Sequence, residues 1–311
     1  MIPLLLLTWL GCTGEAPKPA EPAGPTRVRL ALNWFPEPEF GGFYEGKLSG
    51  IYEKAGFDVE ILPGGPGAPT LELLSSGQAE AAITMADELL LKRSKGVAAV
   101  GAWPAFQLNP MGLIGHTGAG VQRFEDVTGG RIAVEIGGPF QQVVWKKYGW
   151  EGKVEMVPTS GSLATFLADP ALLQQAYVTA EPCLAKAQGA DTVFLKAADA
   201  GWNPYGTVLA FADPPPAWAG DFVAATAKAW EAYIADPSRA NAELAKLNDQ
   251  MKPELMGCIV DAQKPFLSGT DGLGAMTQAR WDAVNATMVE LGLLPAGSTA
   301  AGAWMAPRKS P

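Results

Sequence analysis

The feature that most constrains this chain is a regular exchange of short β-patterned and longer α-patterned segments, which runs from Arg27 to Phe211 and then stops. Residues 27–32 alternate apolar and polar side chains and predict a strand; residues 41–55 predict a helix and 57–62 a second strand. A Gly/Pro cluster at 64–69 leads to a helix over 70–76, a strand over 81–83, a helix over 87–94 and a strand over 98–103. The exchange then starts again. Strands fall over 112–116, 131–135, 154–157, 175–178, 192–195 and 207–211, with helical segments over 124–127, 140–148, 162–168 and 182–188. Pro214-Pro215-Pro216 ends it, and beyond lie only helical patterns, over 220–235, 238–247, 253–264 and 277–291. Strands separated by helices make βαβ units and largely parallel sheets, so the fold class is α/β. With 311 residues the chain is long for one domain and suits two lobes. Residues 28–112 plus 208–311 are expected to form lobe 1 and residues 113–207 lobe 2. The crossovers are expected near 112–115 and 205–208, with the tail helices packed back on lobe 1. A single doubly wound sheet is the alternative topology.

The N-terminus has a different character. Residues 2–10 form an apolar run, interrupted by Pro3 and Thr8, that ends in Gly11-Cys12. The run is well short of the roughly 20 residues that span a bilayer as a helix. An apolar core closed by a small residue is the logic of a secretory signal, here residues 1–12. Gly11-Cys12 resembles a bacterial lipobox, in which the cysteine is acylated, although Trp9 stands where leucine is usual and no Lys or Arg precedes the run. The polar, Pro/Ala-rich residues 13–27 read as a disordered tether. The expectation is a lipoprotein of the periplasm or cell surface, held to the membrane through Cys12; a buried N-terminal strand is the alternative.

Charge and cysteine content narrow the function. A formal net charge of −9 argues against nucleic acid as a partner. Cys183 and Cys258 show no metal-ligand spacing and read as two buried free thiols, with pairing in an oxidising compartment as the alternative. The chain has no Gly-x-Ser-x-Gly elbow, no P-loop lysine and no Cys/His metal set, so neither a metal site, a cofactor nor an enzymatic activity is expected. His116 is the one histidine and reads as structural or exposed.

The stretch Leu32-Asn33-Trp34-Phe35-Pro36-Glu37-Pro38-Glu39-Phe40-Gly41-Gly42-Phe43-Tyr44 resembles the opening of periplasmic binding proteins for thiamine pyrimidine precursors. Residues 50–60, residues 76–83, Glu181-Pro182 and the 222–233 segment followed by Asp236-Pro237 resemble the same family, whose wider superfamily includes riboflavin, alkanesulfonate and nitrate binders. The resemblance implies a type II periplasmic-binding-protein fold, two α/β lobes that close on a small molecule. It also implies an ABC permease with its ATPase as partners, to which the protein delivers its ligand as a monomer. A ligand sensor for a membrane receptor would share the fold. One enzyme of the superfamily makes the pyrimidine with a histidine and a cysteine-rich iron site, and this chain has no cysteine cluster.

In open α/β sheets, ligands sit outside the carboxyl ends of the strands. Asn33 and Trp34 follow the first predicted strand, as a hydrogen-bonding and a stacking group, with Phe40 and Tyr44 beyond them; Phe43 reads as core. Asp87 follows the third strand and reads equally as a helix cap. Gln107 follows the fourth. Gly138 and Phe140 open a helix whose free N–H groups suit an anionic or carbonyl group, although a lone Gly-Gly at a helix start reads first as a mere tight turn. The resemblance makes Glu181 a ligand contact, and Tyr205 is placed to close over the ligand. These residues predict an aromatic-rich cleft with few charges and no Arg, suited to a flat nitrogenous heterocycle. Binders of riboflavin or of a sulfonate or other anion are the alternatives.

Overall fold

The computed structural model describes residues 24–269 and 272–306. Cys12, the signal segment 1–12 and most of the tether lie outside the described residues. Among the described residues ten strands form two five-stranded sheets. The first holds β1 (Thr26–Ala31), β2 (Phe57–Leu62), β3 (Ala81–Thr84), β4 (Ala99–Phe106) and β10 (Gly206–Ala212), in the order β2-β1-β3-β10-β4. The second holds β5 (Met111–His116), β6 (Gly130–Val134), β7 (Val154–Pro158), β8 (Leu173–Tyr177) and β9 (Thr192–Lys196), in the order β7-β6-β8-β5-β9. The two orders are equivalent. In each sheet one strand, β10 or β5, runs antiparallel to both its neighbours, and in each case it is the strand that enters from the other sheet. The chain crosses through residues 107–110 and returns through 197–205. This is a mixed α/β, two-sheet architecture with a helical C-terminal region, not one doubly wound sheet.

The alternating pattern of β1 does what its spacing predicts. Val28 and Leu30 are fully buried, in one cluster with Phe43, Phe222 and Trp230. Helix Gly41–Leu48 lies on the tail helix Ala219–Ala235 because Gly42 has no side chain: a Cβ there would stand 2.3 Å from the Trp230 ring. That close seat fixes the turn before it, residues 36–40, which carries Glu37 and Glu39. The helix predicted over 41–55 is two pieces. Gly50 adopts φ 72°, a left-handed conformation that breaks the helical hydrogen bonding, and the chain restarts as Ile51–Lys54. At the other end of the chain, Gly101 of edge strand β4 donates to Ala303 at 2.9 Å and accepts from Met305 at 2.7 Å, which covers the open edge.

Cys183 and Cys258 form a disulfide, with Cα atoms 6.0 Å apart, rather than two free thiols. Cys183 belongs to helix Glu181–Ala187, which follows β8 of the second sheet; Cys258 belongs to tail helix Pro253–Leu267, which packs on the first. The bond therefore joins the two halves of the molecule. A second brace is Arg280 on helix Gln278–Glu290. Its guanidinium donates to the carbonyl of Gln107 on one crossover and, at 2.9 Å, to that of Asn203 on the other.

Candidate functional site

A cavity of about 390 Å³ lies between the two sheets, within the size range of small-molecule sites. It is built from loops at the carboxyl ends of parallel strands. Asn33 and Trp34 follow β1, Met85 and Asp87 follow β3, and Glu135 to Phe140 follow β6. Gly161 follows β7 and Glu181 follows β8. Met111 reaches the same edge because β5 runs antiparallel and begins there. The two halves touch across the mouth. Gly67 N–H donates to Glu135 Oε1 at 3.3 Å, and Tyr177 O–H donates to Met85 Sδ at 3.0 Å. Trp34 presses against Gly161, which has φ 77° and where a Cβ would stand 3.0 Å from the indole.

Six of the ten residues expected at the ligand line this cavity: Asn33, Trp34, Asp87, Gly138, Phe140 and Glu181. Four do not. Phe40 is fully buried and turns into the core, because the turn Pro38–Phe40 directs its ring toward the tail helices. Tyr44 points into the same core, one helical turn further on. Gln107 belongs to the first crossover, where its amide donates to Ala275 O at 3.1 Å. Tyr205 belongs to the second crossover; its hydroxyl accepts from Thr277 N–H at 3.0 Å and its ring lies 3.8 Å from the Arg280 guanidinium. His116 sits at the far end of β5, stacked on Phe166 and bonded to the Phe166 carbonyl at 2.9 Å.

The lining holds more charge than the sequence suggests. Glu37, Glu39, Glu88 and Glu135 join Asp87 and Glu181 there. The signal for Glu37 and Glu39 is two acidic residues in the Pro36- and Pro38-shaped turn between the first strand and the first helix. Burial, then the charges of Glu39 and Glu181, push the Glu37 carboxyl well above the usual range; the Trp34 indole opposes this. Burial, then Glu181, raises Glu39. Burial also raises Glu181, against the pull of the Tyr177 N–H that it accepts at 2.7 Å. Asp87 is 4% exposed, and burial followed by the charge of Glu88 raises it to about 7. Amide groups at the start of helix Ala86–Ser94 and the Trp202 indole pull the other way. Among the described residues Lys92 and Lys95 are the cations of the lining, and none of these lining residues is Arg. Among the described residues no cluster of His, Cys, Asp and Glu could hold a metal ion, and no helix is long and apolar enough to cross a membrane.

The fold is that of periplasmic binding proteins. The periplasmic aliphatic sulphonate binding protein SsuA of Escherichia coli superposes with a TM-score of 0.70 at 15% identity, over 93% of this chain and 94% of that one. The periplasmic nitrate-binding protein NrtA of Synechocystis PCC 6803 gives 0.63 at 14% identity, over 88% and 83%. A conserved Candida albicans gene product with the generic periplasmic binding protein fold gives 0.62 at 14%, over 88% and 92%. No curated protein matches the sequence. The model of the family described as NMT1/THI5 like matches residues 37–240, well over half of the chain. The chain belongs to the NMT1/THI5-like family.

Proposed function

We propose that this protein is the solute-binding component of an ABC import system and captures a flat nitrogenous heterocycle, of the kind of a thiamine pyrimidine precursor, between its two halves. The observation that carries the reading is the composition of the cleft: an indole, Trp34, beside buried carboxyls at Glu37, Glu39 and Asp87 and the half-buried Glu181, with no Arg in the lining among the described residues. Trp34 offers a stacking face, and the carboxylates accept from ring and exocyclic N–H groups. Asn33, with an unpartnered buried Oδ1, and the backbone at Gly138 and Phe140 complete the polar contacts. The related folds named for alkanesulfonate and nitrate raise an anion as the competing reading. An anion brought to ~4 Å from one ionised carboxylate meets a repulsion of about 4 kcal/mol at an effective dielectric near 20.

The rest of the reading concerns where the protein works. Disulfides persist in oxidising compartments, so the Cys183–Cys258 bond favours a place outside the cytoplasm. With acylation at Cys12, the protein is a membrane-anchored monomer that hands its solute to a permease and its ATPase. A thermal-shift screen tests the ligand class, because a ligand raises stability by RT ln(1 + [L]/Kd). Aminopyrimidines are expected to raise the melting temperature. Stabilisation by alkanesulfonates or nitrate alone overturns the reading.

A further inference from the structure

The cleft is unbalanced in charge. Its acidic side chains are Glu37, Glu39, Asp87, Glu88, Glu135 and Glu181. Its two lysines lie near or at the end of helix Ala86–Ser94; Lys92 is paired with Glu72, and Lys95 is exposed at the rim. Three of these carboxyls, Glu37, Glu39 and Asp87, are more than nine-tenths buried. Asp87 is 4% exposed and its Oδ1 has no hydrogen-bond partner. Glu39 is 5% exposed and lines the cavity. The Tyr177 hydroxyl of the opposite half is directed to Met85 Sδ.

Carboxylates gathered in a closed cavity cost free energy unless a positive charge or several donors meet them. The protein supplies neither a facing Arg nor a metal cluster among the described residues. In the ligand-free protein burial favours the protonated carboxyls at Glu37, Glu39, Asp87 and Glu181, and a cationic ligand takes the place of those protons as the neutralising charge. We infer that the cleft takes its ligand as an organic cation, a flat heterocycle whose protonated amino group sits among Glu37, Glu39 and Glu181 while a second donor reaches Asp87 Oδ1. This rests on the solute-capture reading above and adds the charge of the ligand to it. Trp34 supports it independently of the carboxylates, because an indole face attracts a cation.

The test is calorimetric titration of the full chain with two probes of nearly equal shape. One is 5-aminomethyl-2-methylpyrimidin-4-amine, which carries an ammonium group near neutral pH. The other is its neutral 5-hydroxymethyl counterpart. The ammonium probe is expected to bind about 30-fold more tightly at low salt, as desolvated charge pairs give. The preference is expected to fall to about threefold or less in the Glu37→Gln/Glu39→Gln double variant, with folding checked by circular dichroism. A second readout needs no variant: raising salt from about 50 to about 500 mM weakens the ammonium probe more than the neutral one. Equal affinities in the unaltered protein, a preference that survives the double variant, or one insensitive to salt overturns the inference and leaves the heterocycle reading standing. Binding of neither probe overturns the heterocycle reading and this inference with it.

Discussion

Replacing Asp87 by Asn should make the ligand-free protein more stable, by an amount that grows with pH. Asp87 is 4% exposed, and burial followed by the neighbouring Glu88 charge lifts its carboxyl from 3.8 to about 7. A group whose folded pKa is raised binds its proton more tightly in the folded protein than in the unfolded chain. Its contribution is fully present below the unfolded value, near pH 4, and is lost as pH rises through about 7. A rise of about three units corresponds to about 4 kcal/mol lost across that window. Asn matches the neutral acid in shape, can still accept from the amides at the helix start, and does not ionise. The variant should therefore equal the unaltered protein near pH 4 and exceed it by up to about 4 kcal/mol at pH 8. At about 2 °C per kcal/mol for a chain of this size, that is about 8 °C. Urea unfolding at pH 4, 5, 6, 7 and 8 measures it. A gap that stays constant, or that narrows as pH rises, refutes the picture of Asp87 as a buried carboxyl without compensating charge.

Three further outcomes follow from named contacts. Removing the disulfide with Cys183→Ser/Cys258→Ser opens a sequence separation of 75 residues and should cost about 4.5 kcal/mol by loop-closure entropy, read by chemical denaturation; a loss under about 1 kcal/mol contradicts this. Gly161→Ala forces a Cβ to 3.0 Å from the Trp34 indole at φ 77°, so a bound aminopyrimidine should lose about tenfold in affinity by calorimetry while stability falls by only about 1–2 kcal/mol. Tyr205→Phe removes the hydroxyl that Thr277 N–H reaches at 3.0 Å but keeps the ring beside Arg280, so it should cost about 1 kcal/mol of stability and leave ligand affinity unchanged.

Much of the fold was written in hydrophobic period. Strand β2 occupies the predicted residues 57–62, and most other strands differ by one or two residues at their ends. The largest shift is β4, which runs on to Phe106, because a strand buried on both faces shows no alternation to mark its end. What local pattern could not carry was long-range pairing. Cys183 and Cys258 meet only because the tail helix Pro253–Leu267 returns across the first sheet to the start of helix Glu181–Ala187. The site shows the same division. Trp34 was legible because it follows a strand end, where topology puts residues at the cleft, whereas Asp87 and Glu181 needed the family resemblance besides their places after a strand. Phe40 and Tyr44 were nominated for their aromatic rings, but the close seat of Gly41 and Gly42 on Tyr233 and Trp230 turns that helix inward. The same seat holds the preceding turn so that Glu37 and Glu39 face the cavity. A cleft expected to carry few charges is in consequence strongly acidic.

The central claim is that the space between the two sheets captures one small solute through Trp34 and the carboxylates around it. Native mass spectrometry of the full chain, titrated with 5-aminomethyl-2-methylpyrimidin-4-amine, tests it most directly. The account predicts one bound probe per chain, lost in Trp34→Ala and in Glu181→Gln and retained in Tyr205→Phe. Equal occupancy in all four proteins, or no bound probe in any of them, contradicts it.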